Sequence, residues 1–315
     1  MNRFIAILLL VGVVFSVDAA PVIGRRIATP ATVAAGGTTL LLDESGLGSA
    51  SAAYSVRKLR SAYSGSALRV RRSSDSTEQD IGFSGNDLDT ASLESFCAAT
   101  DGFVVTWYDQ SGNGRNITQS TAANQPKIVS SGTIITGANS KPTVVFDGSN
   151  DNLQMSGTFS VSTALFTQYV LFKIDTWTSN GGIFSAGQLA GSRPSFRMHN
   201  AGGSANKVTA FGGDGSERLL PTGGLDWGAS AYSLASITWN GTTNSTFGKN
   251  NDSETTGNLG NETSSSMKPA MGVWPWASAY GAVRIQEAIL YTATAHDGTA
   301  RATAKSNVNA YFSLY

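Results

Sequence analysis

The chain has 315 residues with 22 basic and 22 acidic side chains, so it carries no net charge, and charged residues make up 14% of it, against roughly 25% in an ordinary soluble domain. That balance supplies no basic surface for nucleic acid or for an anionic membrane. A single cysteine, Cys97, excludes an internal disulfide framework, and two histidines, His199 and His296, leave no histidine-based metal cluster.

Taken from the start, Asn2 and Arg3 precede the apolar run Phe4–Val17, too short for a bilayer span of about 20 residues. With the small-residue site Val17-Asp18-Ala19, residues 1–19 read as a signal peptide cleaved after Ala19. The expected location is secreted, extracellular or cell-surface, or on a virion. Membrane contact is expected only through an uncleaved N-terminal segment, if at all. Residues 20–50, rich in Ala, Gly and Thr, read as a linker or N-terminal extension, and 51–315 as one domain.

The domain's texture is that of an all-β antiparallel sandwich: 35 glycines with plentiful Ser, Thr and Asn separate short apolar runs. Ala53–Arg60 and Ala67–Arg72 alternate apolar and basic residues as half-buried strands with a solvated basic face, and Ser64-Gly65-Ser66 suits a hairpin between them. Asp89–Phe96 predicts a short helix capped by Thr90. Phe103–Tyr108 is a strand ending in the turn Asp109–Gly114, and Thr143–Phe146 runs into the tight Asp147-Gly148 turn. Further strands are predicted at Gln168–Ile174, Gly182–Ser185, Ser195–His199, Lys207–Phe211, Ala235–Trp239, Met271–Val273 and Val283–Tyr291, then a closing helix over Thr299–Tyr311.

Within the string Trp107-Tyr-Asp-Gln-Ser-Gly-Asn-Gly114, Gly112 and Gly114 permit positive φ, while Asp109 and Asn113 can bond local amides. Trp107 and Tyr108 must face opposite sides of the strand. Two readings follow: a corner between sheets, or a sugar-binding edge at which Asp109 and Asn113 bond hydroxyls. Trp274 and Trp276, flanking Pro275, face one way if extended and serve either a glycan groove or the core.

That string, with Ala62–Asp75 and Ser95-Phe-Cys-Ala98, resembles the N-terminal half of the α-L-arabinofuranosidase B catalytic domain, glycoside hydrolase family 54. The same strings are similar to laminin-G-like surface proteins of phages and bacteria. The resemblance is dense over residues 52–120 and implies a concanavalin-A-like β-sandwich (jelly roll) with short peripheral helices. A retaining glycosidase needs two carboxyl groups about 5–5.5 Å apart. Carried over without gaps, the family's nucleophile position falls on Ala190 and its acid/base position on Trp276. Its adjacent cysteine pair falls on Gly182 and Ile183, and the partner expected for Cys97 on Gly102. No catalytic residue is therefore assigned. Asp175, Asp214, Glu217 and Asp226 are carboxylates that can stand in; Glu287 reads as a structural, hydrogen-bonded residue. Asp147, Asn150 and Asp151 read as an Asx-type turn or as oxygen ligands for calcium; no metal or cofactor is expected. The function expected is recognition of a glycan or polysaccharide, with an active α-L-arabinofuranosidase and a structural virion or surface protein as alternatives.

Overall fold

A computed structural model of the chain describes residues 39–160, 165–178, 180–187, 195–198, 207–213, 217–228, 231–240, 244–260, 267–275 and 278–315. The expected signal segment lies outside the described residues, as do Ala190, His199, Asp214 and Trp276.

The first strands are β1 (Ala52–Ser55), β2 (Leu68–Arg72) and β3 (Glu78–Ile81), then the short ribbon β4 (Phe83–Ser84) with β5 (Asp87–Leu88). Helix α1 (Thr90–Cys97) precedes β6 (Gly102–Trp107), β7 (Ile117–Thr118), β8 (Lys127–Ser130), β9 (Thr133–Ile134), β10 (Val144–Asp147) and β11 (Leu153–Met155). Longer strands follow: β12 (Leu165–Thr176), β13 (Gly182–Gly187), β14 (Ser195–Met198), β15 (Lys207–Gly213), β16 (Glu217–Asp226), β17 (Ser233–Asn240), β18 (Ser245–Lys249) and β19 (Thr255–Gly257). The chain closes with β20 (Met267–Met271), the ribbon β21 (Val273–Trp274) with β22 (Ala279–Tyr280), β23 (Ala282–Thr292) and helix α2 (Gly298–Phe312).

The ladder is antiparallel and forks at β6. One branch runs from β6 through β8 and β10 to β23, β12, β17, β18 and β19. The other leaves the Trp107 end of β6 through β7 to β11, β20, β13, β14, β15 and β16. The branches pack face to face, closely enough that a Cβ on Gly272 of one would lie 2.1 Å from the Phe146 ring of the other. This is a β-sandwich, as the composition and turn pattern predict.

β12, β17 and β23 are buried on both faces, which is why they read as near-continuous apolar runs rather than alternating ones. Residues 39–50 and α2 cover the central sheet: Leu41 and Leu47 are buried, as are Ala304, Val308 and Phe312. His296 fastens this layer, its Nε2 on the Leu47 carbonyl at 2.8 Å and its Nδ1 on the Tyr169 hydroxyl at 2.9 Å.

Three local expectations need correction. Helix α1 is capped by Asp89, whose carboxylate accepts the Ser92 amide and hydroxyl, and not by Thr90, which is already helical. The hairpin expected between Ala53–Arg60 and Ala67–Arg72 does not form. β1 pairs with β23 and stops at Ser55, because buried Gln110 then takes the backbone: its Oε1 accepts the Leu59 amide and its Nε2 donates to the Ser55 and Arg57 carbonyls. Nor is the basic face uniformly solvated, since Arg57 is 4% exposed.

Candidate functional site

Trp107 ends β6 fully buried, and Tyr108 turns the other way to donate its hydroxyl to Asp80 at 2.8 Å. The turn that follows is organised by Asp109, 3% exposed. Its Oδ1 accepts the amides of Ala53 (2.8 Å) and Ser111 (2.9 Å), and its Oδ2 the Ser111 hydroxyl (2.7 Å) and the Arg115 amide (2.9 Å). These four bonds fill the roughly four acceptor sites of a carboxylate. Asn113 Nδ2 donates to the carbonyls of Ala50 and Ser51, both at 3.1 Å, and Arg115 Nη1 to Ser51 at 2.7 Å. The Arg115 guanidinium lies 3.6 Å from the centroid of Phe159. Gly112 and Gly114 take φ of +93° and +68°, so the turn uses both glycines as such. Asp109 and Asn113 are thus linked through the Ser111 hydroxyl, which donates to Asp109 and accepts from Asn113, and together they stitch β6 to the start of β1.

Glu287 is 1% exposed and paired with Arg57, Nε to Oε2 at 2.7 Å and Nη2 to Oε1 at 3.0 Å, while the Ser55 hydroxyl donates to Oε2 at 2.7 Å. The guanidinium lies 5.0 Å from the Tyr311 ring centroid and donates to Asn307. This bidentate, desolvated pair holds β1, β23 and α2 together, the structural part expected of Glu287. Asp175 is tied to Arg284 (2.6 Å) and Lys173 (3.3 Å), and Asp226 projects into solvent with Lys207 at 2.8 Å.

Trp274 lies on β21, 9% exposed. A Cβ on Gly182 of β13 would stand 2.1 Å from the Trp274 amide nitrogen, and the Gly272 amide donates to the Ile183 carbonyl at 3.1 Å. Gly182 and Ile183 therefore adjoin the β21 ribbon. Cys97 is a buried free thiol whose pKa burial pushes up. A Cβ on Gly102 would lie 2.7 Å from its sulfur, so Gly102 is its neighbour in space.

A cleft of about 550 Å³ opens on the outer face of the β6–β8–β10 sheet, lined by Phe103, Ala122, Ala123, Gln125, Lys127, Val145, Asp147 and Asp151. Pairing of Phe103 with Lys127 and of Lys127 with Val145 sets the row of its floor. At one end Asp147 Oδ1 accepts the amides of Ser149, Asn150 and Asp151 at 2.8–3.2 Å. Burial acts to raise the Asp147 pKa, but these amides outweigh it and hold the group below the usual carboxylate range. Asp151, 8% exposed, accepts the Asp147 amide on Oδ2 at 3.1 Å. Burial first, and then the Asp147 charge, push its pKa up to about 7. The Asx-type turn expected here is present; among the described residues no group of three His, Cys, Asp or Glu side chains is placed to hold a metal ion. The contributions of Phe103, Gln125 and Lys127 to this cleft carry no motif in the sequence, since strand register alone assembles them.

Residues 42–161 match the profile of the family described as alpha-L-arabinofuranosidase B, catalytic. A probable alpha-L-arabinofuranosidase B of Aspergillus flavus is 34% identical over 106 residues, which cover 33% of this chain and 21% of the relative. The alpha-L-arabinofuranosidase B of Aspergillus niger is 39% identical over 71 residues, covering 22% and 14%. The matches thus span about a fifth or less of these relatives' length. Among solved structures, a GH54 α-L-arabinofuranosidase soaked with a cyclic sulfate inhibitor aligns with a TM-score of 0.66 at 17% identity, over 84% of this chain and 63% of that one. An arabinofuranosidase complexed with arabinofuranosyl-alpha-1,2-xylobiose aligns with a TM-score of 0.61 at 15% identity, with the same coverage. At such identity the likeness is one of fold.

Proposed function

We propose that this chain is an exported carbohydrate-recognising sandwich, concanavalin-A-like in type, that shares ancestry with arabinofuranosidase B catalytic domains and binds a glycan without cleaving it. The reading rests on the family match over residues 42–161 together with the ungapped carry-over beyond that match, which sets Ala190 and Trp276 where the family's carboxylates would fall; Gly102 stands beside Cys97. Glu287 and Asp109, the best-buried carboxylates near the matched strings, are committed to Arg57 and to backbone amides, which supports binding over acid/base chemistry. In this reading Asp109 and Asn113 shape the corner, and Trp274, 9% exposed, serves the core rather than a glycan groove; Trp276, outside the described residues, is the aromatic face proposed for a polysaccharide.

An active α-L-arabinofuranosidase is the second reading, and one observation favours it. Asp147 and Asp151 form a carboxyl pair with pKa values driven in opposite directions, the pattern that separates an acid from a base. Incubation of the purified chain with an aryl α-L-arabinofuranoside, beside binding to immobilised arabinoxylan, separates the two. Binding without release of the aryl group is expected; turnover abolished by Asp147→Asn or Asp151→Asn would replace the first reading with the second. Silence on a broad glycan array, with no turnover, leaves a structural role in a virion or surface layer.

A further inference from the structure

We infer that the cleft floored by Phe103 and walled by Lys127, Asp147 and Asp151 is a binding subsite for a neutral, hydroxyl-rich ring: a sugar presenting a vicinal diol. The inference rests on the carbohydrate-recognition reading and adds to it a location and a ligand chemistry.

Size admits the ligand, since about 550 Å³ falls inside the roughly 300–1,000 Å³ of small-molecule clefts. Apolar surface is present in the Phe103 ring, Val145 and the methyls of Ala122 and Ala123, enough for the C–H face of a sugar ring. The polar groups decide the class. Asp151 Oδ1 and Asp147 Oδ2 have no hydrogen-bond partner among the described residues, so two acceptors are open. Lys127 spends one N–H on Asp101 at 2.7 Å, and Gln125 Nε2 one on the Gln119 carbonyl at 2.9 Å, so each keeps a donor. A cationic ligand would meet Lys127, with Arg71 behind it on Gln125. An anion would meet both aspartates. Only a group that donates and accepts at neighbouring atoms satisfies both sets, and a hydroxyl pair does this without burying charge.

Asp151 is also in excess of what the turn requires. Asp147 closes the turn by itself with three amides, and the one bond that Asp151 accepts could be accepted by asparagine. A carboxyl group kept 8% exposed beside another carboxylate costs stability that the turn does not need. Such costs accumulate at sites of function. Holding its proton to about pH 7, Asp151 can offer a hydroxyl either an acceptor or a donor.

The test titrates the purified chain with methyl α-L-arabinofuranoside, methyl β-D-xylopyranoside, methyl β-D-galactopyranoside and soluble arabinoxylan. Three variants are compared: Phe103→Ala, Asp151→Asn, and Ala123→Trp, which fills the cleft from an exposed position and deletes no contact. Expected is binding of at least one probe by the native chain and a loss of roughly tenfold or more in each variant, the size of one or two lost contacts, with unfolding curves that show each variant folded. Native affinity in Ala123→Trp and Phe103→Ala overturns the assignment of the cleft while leaving carbohydrate recognition intact. Failure of the native chain to bind any probe overturns the recognition reading, and this inference falls with it.

Discussion

Replacing Asp151 by asparagine tests the electrostatics of the cleft without reference to any ligand. In the unfolded chain this carboxyl group titrates near 3.8, and in the folded protein near 7. The folded state therefore holds the proton more tightly, so the native chain loses stability as pH rises through that interval and carries the full penalty above it. The interval corresponds to about 4 kcal/mol. Because Asp151 lines an open cleft, water screens part of the charge, and about 2 kcal/mol is the expected size. Asparagine can keep the bond from the Asp147 amide through its own carbonyl oxygen. The variant should match the native chain near pH 4 and exceed it by about 2 kcal/mol at pH 8. Urea unfolding of both proteins at half-unit steps from pH 4 to 8.5 measures the difference and cancels the titrating groups that do not interact with Asp151. A difference that does not change with pH across this range would refute the reasoning.

Gly102→Cys should form a crosslink to Cys97, since the added Cβ would lie 2.7 Å from the sulfur, close to the ~3 Å of a Cβ and the distal sulfur in a disulfide. Mass analysis after alkylation should find no free thiol under oxidising conditions, and so short a loop should add about 2 kcal/mol of stability; two alkylated cysteines would contradict the geometry. Glu287→Gln should cost about 3–5 kcal/mol by stranding buried Arg57, whereas Arg57→Met with Glu287→Leu should cost less; chemical denaturation of both variants makes the comparison. Asp109→Ala orphans the amides of Ala53, Ser111 and Arg115, and at about 1 kcal/mol or more each a loss of at least 3 kcal/mol is expected in the same assay.

The parts of the fold that could be read from the chain are those with local causes. The closing helix, expected over Thr299–Tyr311, occupies Gly298–Phe312 because Asp297 caps it and Val308 and Phe312 share its buried face. The turn after Trp107 is where glycines at positive φ and an aspartate short enough to reach its own amides place it. At Ala53–Arg60 the same alternation misled, because the hydrogen bonds that end the strand come from the Gln110 side chain, which no local pattern encodes.

The sequence by itself determined the all-β class, many of the longer strands, the closing helix and the Trp107–Gly114 corner, since period, turn chemistry and capping act over a few residues; strands such as Lys127–Ser130 and Glu217–Asp226 carried no such signal. Only the tertiary structure decided what the charged groups do. Arg57 and Glu287, 230 residues apart, become a buried pair because β1 and β23 adjoin, and Phe103, Lys127 and Asp151 become one cleft because β6, β8 and β10 pair in a particular register. Register follows from the burial of whole sheet faces, a property of the assembled sandwich that no single segment carries.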